Sequence, residues 1–476
     1  MRHYTLLALC AISPAWAAPS TSRSFDYVVV GGGTAGLTVA NRLSEDAHVT
    51  VAVVEAGNAI ENGVGNLSYV PGYVSMLQAS IPGSASVGWG FKTTPQQLGG
   101  CSTINNMAYG RTSKGALQRL AETVGDQSYT WNQVLPFYQK SMNFAPPDDR
   151  TRLSNATPSY DPKAVARGGP LSVNFPAYAE SWSTWVVKGL AAIGISPGRA
   201  LVEGALSGST WQLMTVDHAT GRRSSSNSAF LSPVSRRNNL VVFTDTMAEQ
   251  TRWPTLMTMP GGALTNPGGD LVGLEKIPSD LRANWSPETK SALSALPDDW
   301  PEIQYLVFPA AFTPGTQAGA SYASLIPALQ APQSTGNVTI SSARMSDPPV
   351  INPNWLTAQA DLDVLVAGFK RMRQLVASKA MAGVTVGEEF LPGPSVQTDD
   401  QILAFVKAAG QSMCHAHATN AMGKASDANA VVDSSGKVYG VKNPRQMCMI
   451  MEMTDSVSFD VKVRVVDASA FPFLLP

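Results

Sequence analysis

The feature that most constrains this chain is a glycine-rich turn between an apolar run and a helical pattern. The run from Phe25 to Val30 is apolar and β-branched, as is typical of a buried parallel strand. Residues 31–36, Gly-Gly-Gly-Thr-Ala-Gly, follow at once, and apolar residues then recur at helical spacing as far as Leu43. A second apolar run, Val49 to Val54, ends in Glu55. This order of strand, turn, helix, strand and acid predicts a Rossmann-like unit that binds a dinucleotide.

Each position of the turn has a physical role in such a unit. Gly31 permits the tight turn, Gly33 lets a diphosphate approach the backbone, and Gly36 lets the helix lie close to the strand. Thr34 and Ala35 begin the helix, whose free N–H groups and positive dipole end would hold the diphosphate. A glycine-rich turn with a purely structural role is the alternative.

The acid after the second strand narrows the choice of dinucleotide. Glu55, followed by Ala56, is placed to accept hydrogen bonds from the hydroxyl groups of the adenosine ribose. A carboxylate there would repel a 2′-phosphate, so the pattern favours FAD or NAD over NADP. The turn alone does not separate FAD from NAD.

The N-terminus indicates a secreted protein. Arg2 and His3 precede an apolar run from Tyr4 to Ile12, and Ala15-Trp16-Ala17 gives a small-x-small cleavage pattern. We therefore expect residues 1–17 to be a signal peptide, with a buried N-terminal helix as the alternative. The apolar run is too short to span a bilayer and no later run is longer, so no membrane partner is expected. The chain also contains four N-glycosylation sequons, which are consistent with secretion, at Asn66, Asn155, Asn284 and Asn337.

Composition and cysteine content exclude several classes of protein. Hydrophobic residues make up 44% and charged residues 14% of the chain, which favours a compact globular fold. The net charge of -1 gives no indication of a nucleic-acid partner. Without the signal peptide three cysteines remain (Cys101, Cys414 and Cys448), which excludes a disulfide framework but leaves one pair possible.

Four blocks resemble the glucose-methanol-choline (GMC) oxidoreductases, and they occur in that family's order. Residues 26–57 resemble its opening, and residues 98–105, Leu-Gly-Gly-Cys-Ser-Thr-Ile-Asn, resemble its first signature beside the flavin. Residues 415–423, which begin with His415, resemble the block that carries its catalytic histidine. Residues 465–469, Val-Val-Asp-Ala-Ser, resemble its closing flavin-contacting motif. The resemblance is closest to secreted fungal enzymes of secondary metabolism.

The resemblance implies FAD as the cofactor and oxidation of a small alcohol, with oxygen or another molecule as the electron acceptor. His415 would be the base that takes the hydroxyl proton, a role that suits a neutral imidazole. A flavin-scaffold cyclase without net redox and a degenerate, non-catalytic paralogue are the alternatives, and the oligomeric state is not indicated. The resemblance also implies further cofactor contacts: Gly99, Gly100, Asn105, Asn106, Met107, Ala108, Asp467 and Ala468.

The histidine block has two other interpretations. If Cys414 to His417 formed a strand, both imidazoles would lie on one face, as a metal pair requires. The mature chain has only His48 and His218 besides, with no acidic or cysteine cluster nearby, so no metal site is expected. A structural histidine is the other possibility for His415 and the favoured interpretation of His417.

The expected fold class is α/β, with a Rossmann-like FAD-binding domain and a second, α+β substrate-binding domain. Residues 24–250 would form most of the first domain, 251–405 most of the second, and 406–476 a return to the first. Residues 301–308 and 337–341 are predicted to be strands. A structural helix is predicted from Asp361 with Leu365, Phe369, Met372 and Val376 on one face and Lys370, Arg371 and Arg373 elsewhere.

The sequence departs from the family in several places. The segment before Leu98 is shortened, and the family's second signature is absent after the apolar run 239–243. Residues 443–461 form an insertion with neither strand alternation nor a helical face, and the chain stops at Pro476, before the family's second catalytic residue. We therefore hypothesise an imperfect gene model or a degenerate paralogue, in which lost strands would expose apolar sheet edges.

Overall fold

A computed structural model describes residues 25–57, 60, 64–75, 100–244, 262–313, 315–343, 347, 349–441, 450–452 and 462–476. The helices in these ranges are α1 (Thr34–Leu43), α2 (Lys114–Val124), α3 (Trp131–Ser141), α4 (Ser181–Ala192), α5 (Pro287–Ser294), α6 (Gln359–Ala377) and α7 (Asp399–Ala409). The strands are β1 (Tyr27–Val30), β2 (Val51–Val54), β3 (Ala108–Tyr109), β4 (Met142–Asn143), β5 (Leu171–Ser172), β6 (Gly208–Trp211), β7 (Leu213–Met214), β8 (Leu240–Phe243), β9 (Leu271–Glu275), β10 (Ile303–Phe308), β11 (Ser324–Leu329), β12 (Asn337–Thr339), β13 (Val350–Asn352), β14 (Ile450–Glu452) and β15 (Lys462–Arg464). Among the described helices, none combines the length and the apolar character needed to cross a bilayer.

The first sheet contains the predicted Rossmann-like unit. Its strand order is β15-β14-β1-β2-β8, and β1, β2 and β8 run parallel. Helix α1 connects β1 to β2 and buries Leu37 and Ala40 against Val29, Val51 and Val53 of the two strands. The prediction of strand, turn, helix and strand is confirmed, with each strand beginning two residues later than its apolar run.

The insertion at residues 443–461 contains a strand, contrary to the expectation that it has none. Strand β14 pairs antiparallel with β1 and with β15, so that it lies between them. Two residue pairs, Tyr27 with Glu452 and Val28 with Met451, join β14 to β1, and so short a strand requires no long alternating pattern in the sequence. The rest of the insertion lies outside the described residues.

The second sheet is antiparallel, with strand order β11-β10-β9-β6. Helices α4 and α6 pack on it, and its core includes Leu190, Leu271, Ile303 and Leu375. Strand β6 comes from the segment expected to belong mainly to the first domain, so the chain enters the second sheet before residue 250. The α+β character of the second domain follows from this sheet and its covering helices.

Helix α6 buries a different face from the predicted one. The buried face includes Val364, Ala367, Arg371 and Leu375. Of the four residues on the predicted face, only Met372 is fully buried. The other three are half-buried: Leu365, Phe369 and Val376. The prediction that Arg371 lies away from the core is therefore wrong. Its guanidinium can be buried because it forms an ion pair with Glu275 at 2.8 Å (Nη2 to Oε2).

Candidate active site

Four strands end at one edge of the first sheet. Strand β15 is antiparallel to β14, which is antiparallel to β1, so β15 runs parallel to β1, β2 and β8. Their carboxyl ends therefore meet at the same edge. The glycine turn follows β1 there, Glu55 follows β2, and Asp467 lies three residues after β15. The topology brings together residues that are over 400 positions apart in sequence.

The glycine turn has the geometry that diphosphate binding requires. Gly31 has φ of +95°, and a side-chain carbon at Gly36 would lie 2.0 Å from the carbonyl oxygen of Gly31. Helix α1 has no side-chain cap at Gly33 and no acidic residue in its first turn. Its first N–H groups, including those of Thr34 and Ala35, are therefore available to an anion.

Glu55 has a role that the sequence did not suggest. Its carboxylate is buried and accepts hydrogen bonds from the N–H of Gly32 at 2.5 Å (Oε2) and of Gly57 at 2.7 Å (Oε1). It thus ties the glycine turn to the loop that contains Ala56. Each oxygen keeps further acceptor capacity, so these bonds are compatible with ribose binding as well.

The second glycine turn packs directly on the first. A side-chain carbon at Gly100 would lie 2.8 Å from the Cα atom of Gly33, so the two backbones are in close contact. The hydroxyl of Thr34 lies 3.5 Å from the sulfur of Cys101, which is exposed and forms no disulfide with a described cysteine. Gly99 lies outside the described residues. The fold thus brings together two glycine turns that are more than 60 positions apart in the sequence.

The residues after this turn differ in how they could meet a cofactor. Asn105 and Ala108 are exposed, and Asn106 is half-buried. Met107 is fully buried with φ of +61°, its N–H bonded to Asn105 Oδ1 and its carbonyl to the N–H of Thr215. The structure therefore gives Met107 a packing role, and leaves Asn105, Asn106 and Ala108 able to contact a ligand.

The predicted catalytic histidine lies in an irregular loop, not in a strand. Cys414 and Ala418, at φ of +60° and +64°, bracket His415 and His417 with left-handed backbone that non-glycine residues rarely adopt. Such strain often marks functional segments. The loop geometry removes the strand argument for a metal pair, and the described residues contain no cluster of three or more metal-binding side chains.

Hydrogen bonds join the histidine block to the closing flavin motif. Asn420 donates from its backbone N–H to the carbonyl of Ser469 and from its side chain to the hydroxyl of Ser469, both at 2.9 Å. The N–H of Met422 donates to the carbonyl of Ala470 at 2.8 Å. Asp467 accepts from the N–H of Ser469 and so caps the short turn that contains Ala468. His415 is thereby connected to the edge where the sheet strands end.

The local environment disfavours the protonated form of both imidazoles. Surrounding protein partly desolvates His415 and the nearby His417 adds charge repulsion, and both effects lower the pKa of His415. His415 remains exposed, so packing around the ring and not complete burial accounts for this direction. Desolvation also lowers the pKa of His417, although its Nδ1 donates to the carbonyl of His415 at 3.2 Å.

Two polar groups could not be recognised from the sequence, the buried Arg223 and the half-buried Glu180. Arg223 is 5% exposed and binds the turn at residues 102–105, and no periodicity marks it. Glu180 lies beside the buried Asp270. Desolvation is the larger cause and repulsion from the Asp270 carboxylate the smaller one, and together they raise the pKa of Glu180 to about 7. Asp270 follows Gly269, where a side-chain carbon would lie 3.0 Å from Nδ2 of Asn106. Only long-range packing brings each of these groups to its partners.

Comparison with known proteins decides the family. Family models described as GMC oxidoreductase match residues 25–252 and 332–445. This chain belongs to the GMC oxidoreductase family. A glucose-methanol-choline family oxidoreductase, mfmG, of Annulohypoxylon moriforme is 41% identical, over 96% of this chain and 91% of that protein. Patulin synthase of Penicillium expansum is 34% identical, over 96% of this chain and 89% of that protein. Versicolorin B synthase of Aspergillus parasiticus is 31% identical, over 95% of this chain and 85% of that protein.

Solved structures show the same fold. An FAD-dependent oxidoreductase from Chaetomium thermophilum has a TM-score of 0.73 at 20% identity, covering 95% of this chain and 96% of the other. Formate oxidase of Aspergillus oryzae, an R554A variant, has a TM-score of 0.73 at 19% identity, with 95% and 94% covered. The expected α/β fold with a Rossmann-like FAD-binding domain is confirmed.

The cofactor of this GMC oxidoreductase is FAD. The residues present fit it, because the uncapped start of α1 offers N–H groups to a diphosphate and Gly33 leaves open backbone beside Gly100. Glu55 retains acceptor capacity for ribose hydroxyls at the same sheet edge. The family match and the FAD-dependent solved structures confirm the prediction of FAD over NAD, since the diphosphate and ribose contacts alone would suit either dinucleotide.

The alignment lengths show that relatives contain sequence that this chain lacks. The alignment with the Annulohypoxylon moriforme oxidoreductase spans 573 positions, more than the 476 residues of this chain. That relative therefore contains stretches with no counterpart here.

Proposed function

We propose that this GMC oxidoreductase oxidises the CH–OH group of a small alcohol in secondary-metabolite biosynthesis, with oxygen or another molecule as the electron acceptor. The observation that carries the proposal is the exposed His415 in a strained loop, where Asn420 of the same block hydrogen-bonds to Ser469 in the turn that begins at Asp467. The likeness to patulin synthase supports the metabolic context.

In this reaction His415 acts as the base. An unprotonated ring nitrogen of His415 accepts the hydroxyl proton, and the lowered pKa of His415 keeps that nitrogen free at neutral pH. Bound FAD supplies the acceptor for the electrons of the C–H bond. The strained backbone at Cys414 and Ala418 restricts the positions that the imidazole can take.

The test is anaerobic reduction of the bound flavin by a panel of aliphatic and aryl alcohols. His415→Ala should retain FAD but slow this reduction by about 10² or more, because general-base catalysis contributes that much. His417→Ala is the matched control and should reduce at close to the wild-type rate above pH 7. An unchanged rate in His415→Ala would exclude the base role.

The likeness to versicolorin B synthase favours a second candidate, a cyclisation on the flavin scaffold without net redox. The same anaerobic experiment separates the two functions. An oxidoreductase bleaches the flavin absorbance when it consumes its substrate, whereas a cyclase forms product with the absorbance unchanged. A degenerate paralogue, with or without bound FAD, would neither bleach the flavin absorbance nor form product.

We also propose that the protein is secreted and glycosylated. Residues 1–24, with the expected signal peptide, lie outside the described residues. Three of the sequon asparagines are exposed, as a glycan attached to the side chain requires: Asn155, Asn284 and Asn337. A mass loss on treatment with an N-glycosidase supports this route, and an unmodified secreted chain would contradict the glycosylation.

A further inference from the structure

Arg223 joins three backbone segments at the floor of the cofactor-binding turn. Its Nε donates to the carbonyl of Ser68 at 2.8 Å, and its Nη1 donates to the carbonyl of Asn105 at 2.7 Å. The same Nη1 contacts the carbonyl of Ser102 at 3.3 Å. Its own N–H donates to the carbonyl of Tyr69 at 2.9 Å. One side chain thus fixes the turn that packs against Gly33.

Arg223 also sets the orientation of the Asn105 amide. The side-chain oxygen Oδ1 of Asn105 accepts from Nη1 of Arg223 at 2.8 Å and from the N–H of Met107 at 3.0 Å. Both partners are donors, so the oxygen of the amide faces them and the nitrogen faces away. Asn105 is exposed. Its two N–H donors therefore lie at the surface of the turn, where a ligand can reach them.

The charge of Arg223 has no counter-ion in the described part of the chain. No carboxylate pairs with it there, and its Nη2 is buried without a hydrogen-bond partner among those residues. Burial lowers the pKa of Arg223 to about 9, so the guanidinium remains charged at neutral pH. A buried cation is unfavourable unless an anion compensates it. FAD carries a diphosphate, and the turn that Arg223 holds touches the diphosphate-binding Gly33.

We propose that Arg223 is a positioning residue for FAD: it holds the turn at residues 102–105, directs the Asn105 amide nitrogen toward the cofactor and supplies positive charge to the diphosphate side. This inference rests on the assignment of FAD and is independent of which substrate is oxidised. Arg223 acts through Asn105 and through its charge, and its role is distinct from that of His415.

The test compares the affinity of the full chain for FAD in matched arginine variants. Arg223→Gln should weaken FAD binding about tenfold or more, because a charged hydrogen bond and a nearby cation are both lost. Arg223→Lys keeps the charge but not the multiple contacts, so its affinity should be intermediate. The control is Arg111→Gln, since Arg111 is equally buried and binds the carbonyls of Ala164 and Val202, away from the turn.

Thermal unfolding without FAD is measured in parallel. Both glutamine variants should unfold at a lower temperature, but only Arg223→Gln should lose FAD affinity. Asn105→Asp keeps an acceptor for Arg223 and Met107 and removes the two outward donors, so it tests the same proposal even if Arg223→Gln does not fold. It should weaken FAD about tenfold without lowering the unfolding temperature. Binding within twofold of wild type in Asn105→Asp and Arg223→Lys would overturn the proposal.

Discussion

Among single residues, Gly33 differs from the other glycines of the turn. Its φ of -82° suits any residue, and a side-chain carbon there would lie 3.8 Å from its nearest neighbour, the Cα atom of Gly100. At Gly36 the same carbon would lie 2.0 Å from the carbonyl oxygen of Gly31. The protein fold therefore requires Gly36, whereas the ligand requires Gly33.

We expect Gly33→Ala to weaken FAD binding by about 10² while the apoprotein unfolds near the wild-type temperature, because the added methyl group blocks approach of the diphosphate. Gly36→Ala should instead lower the unfolding temperature of the apoprotein. Fluorescence titration with FAD and thermal unfolding measure the two effects. A Gly33→Ala protein that binds FAD as the wild type does would refute the site.

His417 offers a pH-dependent prediction. Desolvation is the larger cause of the lowered pKa of His415, and repulsion by His417 is the second. His417→Asn removes only the repulsion, so the pKa of His415 should rise toward its ordinary value of about 6.5. Because the base must be unprotonated, the acid limb of flavin reduction should move to higher pH, with rates above pH 8 unchanged. If the acid limb of the pH profile stays in place or moves to lower pH, His417 does not lower the pKa of His415 by repulsion.

The residues that sequence could identify are those whose role is local. Gly31, Gly33 and Glu55 lie in one strand–turn–helix unit, so their spacing predicts their chemistry. Arg223 acts on Asn105, 118 positions earlier in the chain, and no local pattern encodes that contact. The second hydrogen-bonding role of Glu55 also required the fold, because its partners Gly32 and Gly57 belong to two different loops.

At the scale of elements, apolar periodicity predicted the existence of strands and helices better than their ends and faces. The strands at residues 301–308 and 337–341 are present as Ile303–Phe308 and Asn337–Thr339. Helix α6 begins two residues before Asp361. The buried face of α6 was predicted wrongly because a charged residue such as Arg371 is expected at the surface. In the fold, the ion pair with Glu275 on β9 allows Arg371 to lie in the core. Strand β14 was missed because it is three residues long and its pairing with β1 joins residues over 400 positions apart.

The ion pair between α6 and β9 yields a stability prediction. Nε and Nη2 of Arg371 each lie 2.8 Å from a carboxylate oxygen of Glu275, which also accepts from the hydroxyl of Tyr305 at 2.6 Å. Arg371→Met leaves the carboxylate without its cation, and the free energy of unfolding should fall by about 3 kcal/mol. Denaturant unfolding measures this change.

The double variant Arg371→Met with Glu275→Met removes both charges and should recover much of that loss. Arg373→Met is the control, because Arg373 pairs with Glu389 and both side chains are partly exposed. A single Arg371→Met variant as stable as the control would show that the buried pair contributes little to packing.

For the whole molecule, the open question is the extent of the first sheet. Strand β8 is the last strand of this sheet among the described strands, and its terminal residue Phe243 exposes 43% of its surface. Relatives contain stretches that this chain lacks, and residues 245–261, which follow β8, lie outside the described residues. The hypothesis of an imperfect gene model or a degenerate paralogue therefore stays open to test.

Sequencing the spliced transcript tests the first of these alternatives. An imperfect gene model predicts a message with additional coding sequence after Phe243 and a different sequence across residues 443–461. Such a message would restore strands beside β8 and remove the exposed apolar edge. A transcript that encodes the present reading frame unchanged would count against the gene-model explanation and favour the degenerate paralogue.

The central claim is that the turn at residues 31–36, the turn at residues 100–105 and Glu55 together bind FAD. The most direct measurement is the flavin content of the purified, folded full-length chain, read from its visible absorption and from FAD released by denaturation. The account predicts a yellow protein that holds one FAD for each chain and that binds added FAD after the cofactor is stripped. Folded protein that is colourless and takes up no added FAD would contradict it.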